Sequence, residues 1–209
     1  MDSIADTPAD VKWPEQGIIH PLYVRLTHWI NAVALLIMIG SGWQIYNASP
    51  LFAFVFPKSL TLGGWLGGGL LWHFAAMWLL IANGLVYVTV GLVTGRLRRK
   101  LLPIRPSDIA GDLRSALSGR LRHDNPSVYN AVQKALYLGV ILAGVVIVAS
   151  GLAMWKPVQL YELTVLFGGY EGARLVHFFA MTAIVLFLVI HVVMALLVPR
   201  SLRAMILGR

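Results

Sequence analysis

Cysteine is absent from the 209 residues. That excludes disulfides, thiolate-held iron–sulfur clusters and any group attached through a C-x-x-C-H pair. Charge is scarce as well. Only 12% of residues are charged and 58% are hydrophobic, whereas a soluble domain carries about a quarter charged residues. Mean hydropathy is +0.74. Aspartate and glutamate are missing altogether from the long apolar stretches, which argues against a proton-coupled transporter built on carboxylate relays. No internal repeat or low-complexity tract stands out.

What is present is a set of four long apolar runs, about Val24–Tyr46, Gly67–Val93, Tyr129–Trp155 and Gly172–Val198. Each exceeds the ~20 residues that a helix needs to cross a hydrocarbon core. The runs lack strand alternation, and in lipid only helices or closed barrels satisfy their own backbone. The expected fold class is therefore all-α: a polytopic membrane protein with a four-transmembrane-helix bundle. Residues 1–22 read as a polar tail, with four acids and three prolines. Residues 23–198 form the membrane domain and 199–209 a second tail.

The net charge of +8 is unevenly placed. The loop of about 94–128 holds Arg96, Arg98, Arg99, Lys100, Arg105, Arg114, Arg120 and Arg122, and the last residues add Arg200, Arg203 and Arg209. The opposite side has Lys58, Lys156 and Arg174. The positive-inside rule puts both termini and the basic loop in the cytoplasm. This charge faces anionic lipid; no nucleic-acid partner is expected. Within the loop, Ile109, Leu113, Leu117 and Leu121 follow Pro106-Ser107-Asp108 at four-residue intervals, the pattern of an interfacial amphipathic helix. The outward loops are aromatic, with Phe52, Phe54, Phe56 and Trp65 in one and Tyr161, Phe167 and Tyr170 in the other.

Four histidines lie inside the apolar runs: His28, His73, His177 and His191. Helices alternate in direction, so His28 and His191 lie toward the cytoplasm, and His73 and His177 toward the outside. His177 and His191 are 14 residues apart on one helix. That spacing is about 21 Å of rise and about 40° short of four turns, so both share a face. Two levels with two imidazoles each are too few ligands for zinc or copper, which usually take three or four. A haem brings four equatorial nitrogens and needs only two axial ligands, for which imidazole serves. The ligand count is that of two non-covalent, bis-histidine haems. Competing readings are a proton relay and a set of histidines hydrogen-bonded between helices.

Other residues bear on the two levels. Gly42 follows His28 by 14 residues and Gly84 follows His73 by 11, each near the face of its histidine and at the other level. Both leave room for a flat macrocycle, although small residues are also common packing in membrane helices. Arg25 and Arg174 each precede a histidine by three residues at a membrane edge. Pairing with a haem propionate and ordinary snorkelling are the two readings of them.

Arg25-Leu26-Thr27-His28-Trp29, Trp72-His73-Phe74, Arg174-Leu175-Val176-His177 and Ile190-His191-Val192 together resemble the di-haem cytochrome b family. That family includes the b-type subunit of nickel–iron hydrogenases, the gamma subunit of formate dehydrogenase and bacterial cytochrome b561. The resemblance spans roughly residues 20–198. It implies that His28, His73, His177 and His191 are the ligands of two haem b groups in a bacterial inner membrane. It also implies electron transfer between the quinone pool, met near His28 and His191, and a periplasmic oxidoreductase that is hydrogenase-like or molybdopterin-dependent. Alternatives are a stand-alone superoxide or quinol oxidoreductase and a haem-free membrane anchor or transporter.

Overall fold

The computed structural model describes residues 20–95 and 131–208. The polar tail before residue 20, His123, Arg209 and the amphipathic helix expected around residues 106–121 lie outside the described residues. The described elements are α1 (Leu22–Ala48), a 3-10 turn (Lys58–Leu60), α2 (Leu66–Val93), α3 (Ala131–Trp155), short α4 (Tyr161–Leu166), α5 (Gly169–Leu197) and α6 (Pro199–Leu207). No strand occurs among these residues. Helices α1, α2, α3 and α5 are long and apolar enough to cross a membrane. Their flanks carry large exposed apolar side chains such as Leu36, Leu71, Leu142 and Leu186, the surface that lipid covers.

The long helices pack as two pairs, α1 on α2 and α3 on α5. The first seam is built from small or compact residues seven apart. Thr27, Ala34 and Ser41 on α1 are buried, as are Gly69, Ala76 and Asn83 on α2. A seven-residue repeat of small side chains lets two backbones approach along their whole length, which is the main source of cohesion where lipid removes the hydrophobic drive. On the second pair Ser150, Ala153, Ala173 and Ala180 do the same. Between the pairs, backbones come close at isolated points only. The pairs are bridged by side chains instead.

Both ends of this arrangement are closed. At the outer end Asn47 clamps the first loop, its amide donating to the Phe56 carbonyl and accepting from the Phe56 N–H, both at 2.8 Å. Phe56 stacks on Trp43 at 4.6 Å, and Phe52, Phe54 and Tyr46 gather around Phe178 of α5. The loop turns back into α2 through glycines, since a Cβ at Gly68 would collide with the Gly63 carbonyl. Beneath α3, the buried Thr164 hydroxyl donates to the Ala153 carbonyl at 3.1 Å and anchors α4.

At the inner end the last residues form a helix, α6, where a tail was expected. Pro199 starts it and Gly208, in the left-handed conformation, ends it, the usual placing of these two residues. Its terminal carbonyls would otherwise lack donors. Arg25 donates to the Ile206 carbonyl at 2.5 Å and Trp29 to that of Met205 at 3.4 Å, which ties α6 to the start of α1.

Candidate functional site

The four membrane histidines meet across the gap between the helix pairs. The rings of His73 and His177 have centroids 6.4 Å apart, and those of His28 and His191 are 6.0 Å apart; each pair is inclined by 59°. Two imidazoles on one metal, with bonds of ~2.0 Å, place their centroids roughly 6 Å apart, because each centroid lies about 1.1 Å behind its nitrogen. Two rings sharing a direct hydrogen bond would close to about 5 Å. Both pairs match the first spacing. Among the described residues no three His, Cys, Asp or Glu side chains gather to hold a bare metal ion. The donor set at each level is two imidazoles, which suits a group that supplies its remaining ligands itself.

The outer pair is supported from behind by two serines. Ser41 Oγ lies 3.0 Å from His73 Nδ1, and Ser150 Oγ lies 3.1 Å from His177 Nδ1. Both serines are fully buried. Each hydroxyl also donates down its own helix, Ser41 to the Ile37 carbonyl at 2.6 Å and Ser150 to the Val146 carbonyl at 2.8 Å. A hydroxyl has one proton, so the oxygen is left to accept from the ring. The Met38 and Ile147 carbonyls also lie within reach of the two hydroxyls, at 3.3 and 3.2 Å. The tautomer that satisfies both serines has the proton on Nδ1 and leaves the Nε2 lone pair free. The next residue on each helix is glycine. A Cβ at Gly42 would stand 3.4 Å from the His73 ring, and one at Gly151 would stand 3.2 Å from the His177 ring.

The inner pair is framed differently. Trp29 meets His28 edge-on at 5.3 Å, and Phe187 lies parallel to His191 at 5.7 Å. Among the described residues neither ring makes a hydrogen bond. The nearby polar network is separate from them: Asn83 donates to the Thr27 carbonyl and to Asn31 Oδ1, both at 2.7 Å, stitching α2 to α1.

A hidden correspondence relates the two helix pairs. Ser41-Gly42 on α1 matches Ser150-Gly151 on α3, an offset of 109, and His73 on α2 matches His177 on α5, an offset of 104. The same offsets carry His28 onto Tyr137 and His191 onto Tyr87. These two tyrosines lie within electrostatic reach of each other. The outer histidines are thus counterparts, whereas the inner pair has a tyrosine pair as its counterpart. Reading along the chain missed this repeat, because its signal is one Ser-Gly dipeptide and one histidine per hairpin.

The remaining candidates fall as follows. Gly42 abuts the outer pair, and Gly84 has open space where a side chain would stand. Arg174 donates to the Ser49 carbonyl and, at 3.0 Å, to its hydroxyl, and pairs with Glu171 at 3.2 Å. Arg25 is engaged with α6, but its Nε is buried without an acceptor. Trp43 Nε1, beside Gly42, is likewise a buried donor without an acceptor. Among the described residues these two buried donors, one near each histidine pair, could each take an oxygen such as that of a haem propionate.

A bundle of membrane-length helices whose inward ionisable groups are two facing imidazole pairs is the frame of a membrane cytochrome of the b type. The chain belongs to the prokaryotic cytochrome b561 family, whose profile matches residues 19–208. It is 54% identical over 190 residues to the "Putative protein-methionine-sulfoxide reductase subunit YedZ1" of Azospira oryzae, an alignment covering 91% of this chain and 96% of that protein.

Proposed function

We propose that this chain is a di-haem electron carrier of a bacterial inner membrane, passing electrons from quinol to a periplasmic oxidoreductase. The observation that carries the reading is the pair of imidazole couples at 6.0 and 6.4 Å, one toward each end of the bundle. In it His73 and His177 would hold the outer haem b, and His28 and His191 the inner one. Bis-imidazole haem supplies reversible one-electron chemistry at an iron with no open position. The protein's part is to fix the four rings, keep water from the slot and offer donors at its edges. Arg25 Nε serves a propionate at the inner level; Arg174 stands at the outer edge. Residues 23–198 are the cytochrome domain, between a tail of 1–22 and the closing segment 199–209. The basic loop of about 94–128 keeps the inner level on the cytoplasmic side, where the candidate quinone site adjoins His28 and His191.

The relative's name points to the partner class, a reductase of oxidised methionine. Reduction of a sulfoxide to a thioether takes up two electrons and two protons and releases water. Quinol supplies that electron pair and releases two protons on oxidation, so electrons run from the inner level to the outer. The test is purification of the chain with haem and protein quantified, followed by reduction with a soluble quinol. Two haems per chain, reduced by quinol and reoxidised when the partner reductase and a methionine sulfoxide are added, is the expected result. A colourless preparation, or haem that reoxidises equally without the partner, overturns it.

A further inference from the structure

The two levels differ in what stands behind their ligands, and that difference assigns a role to two residues outside the ligand set. We propose that Ser41 and Ser150 are matched positioning residues that set the tautomer and the electron-donating strength of the outer axial pair. The proposal rests on the reading of His73 and His177 as ligands to one haem.

A serine buried in a membrane helix ordinarily needs nothing beyond its own helix, where donation to the carbonyl four residues back satisfies it. Ser41 and Ser150 make that bond, and each then turns its remaining acceptor capacity on an Nδ1. The arrangement occurs twice, on α1 for a ring of α2 and on α3 for a ring of α5, at distances that differ by 0.1 Å between 3.0 and 3.1 Å. A glycine follows each serine, and a Cβ in its place would stand only 3.4 or 3.2 Å from the ring. Among the described residues no such hydroxyl stands behind His28 or His191, so helix packing alone does not require it.

Two consequences follow for the outer site. With Nδ1 protonated, each ring has only Nε2 available to an iron, so both ligands present the same nitrogen. An Nδ1–H that donates a hydrogen bond also makes its imidazole a stronger electron donor. Two such rings favour the ferric state of the outer haem, an influence the inner haem lacks. The serines therefore hold the outer potential down from both sides.

The test uses the full chain in detergent or nanodiscs, with Ser41→Ala, Ser150→Ala and the double variant. Haem content, potentiometric titration and the low-spin electron paramagnetic resonance signal are read for each. Each alanine raises the outer midpoint potential and shifts the outer haem's g values, the double variant adds the two effects, and the inner haem does not move. Ser41→Cys and Ser150→Cys, with a weaker acceptor of similar size, fall between serine and alanine. Unchanged potentials with both haems retained would overturn the proposal. So would loss of the outer haem from the cysteine and alanine variants alike, which would make the serines packing residues only. Failure of the underlying reading shows separately, in the unmodified chain, as fewer than two haems.

Discussion

The outer and inner histidine pairs have nearly the same spacing and the same 59° inclination, yet they are built by different means. The outer pair is a meeting of equivalents, each ring backed by a buried serine and faced by a glycine. The inner pair joins α1 to α5, with Trp29 and Phe187 against its rings and, among the described residues, no hydrogen bond behind them. The two pairs are thus alike in spacing and unlike in surroundings. Under the proposed reading, the outer level would be tuned by a hydrogen bond to each ring and the inner level by aromatic packing. If the chain carries two haems in series, as proposed, this division would let their potentials be set independently.

The comparison can be broken most directly at the ligands. His177→Ala is expected to remove the outer haem and leave the inner, and His191→Ala the reverse, so each variant holds one haem per chain with a different residual potential. Loss of the same haem from both would abolish the distinction between levels. Next in size is Gly151→Val. A Cβ there already stands 3.2 Å from the His177 ring, and the branched methyls press the ring out of place. Outer haem content should fall several-fold while the inner haem stays, read from the reduced spectrum after equal purification.

Smaller effects fall at the inner level. Arg25→Ala removes the tie between α1 and α6 and is expected to cost about 1 kcal/mol, seen as a lower unfolding temperature and faster proteolysis of the last residues. Its mark on the haems should be confined to the inner potential. Asn83→Leu gives up two hydrogen bonds across the α1–α2 seam. Such bonds are worth about 0.6 kcal/mol each in a membrane, so the loss of stability is slight and the outer haem is untouched.

Much of this was legible in the sequence for a physical reason. Lipid permits only long apolar helices, so the four spans announce themselves. An imidazole in such a span is costly, so His28, His73, His177 and His191 stand out, and alternating helix direction sorts them by depth. The 14-residue spacing put Gly42 at the outer level, where it lies beside His73. The serines were not legible, because a buried serine is ordinary in a membrane helix and its meaning depends on a ring on another helix. Nor was α6, whose nine residues include two arginines and read as a polar tail until their carbonyls are matched to Arg25 and Trp29. Arg174 shows the same limit: its spacing before His177 is plain, but the Ser49 carbonyl it meets is 125 residues away.

Helix α5 supplies one ligand to each level, and this bears on how the protein is made. His28 and His73 enter the membrane on the first hairpin without partners. His177 follows His73 by 104 residues, which at ~5–20 residues per second leaves the first hairpin waiting about 5–20 s. Until α5 is inserted neither couple exists, and once it is, both do. Under the proposed reading, haem loading would then report completed synthesis, because a product truncated before α5 has only one histidine of each pair.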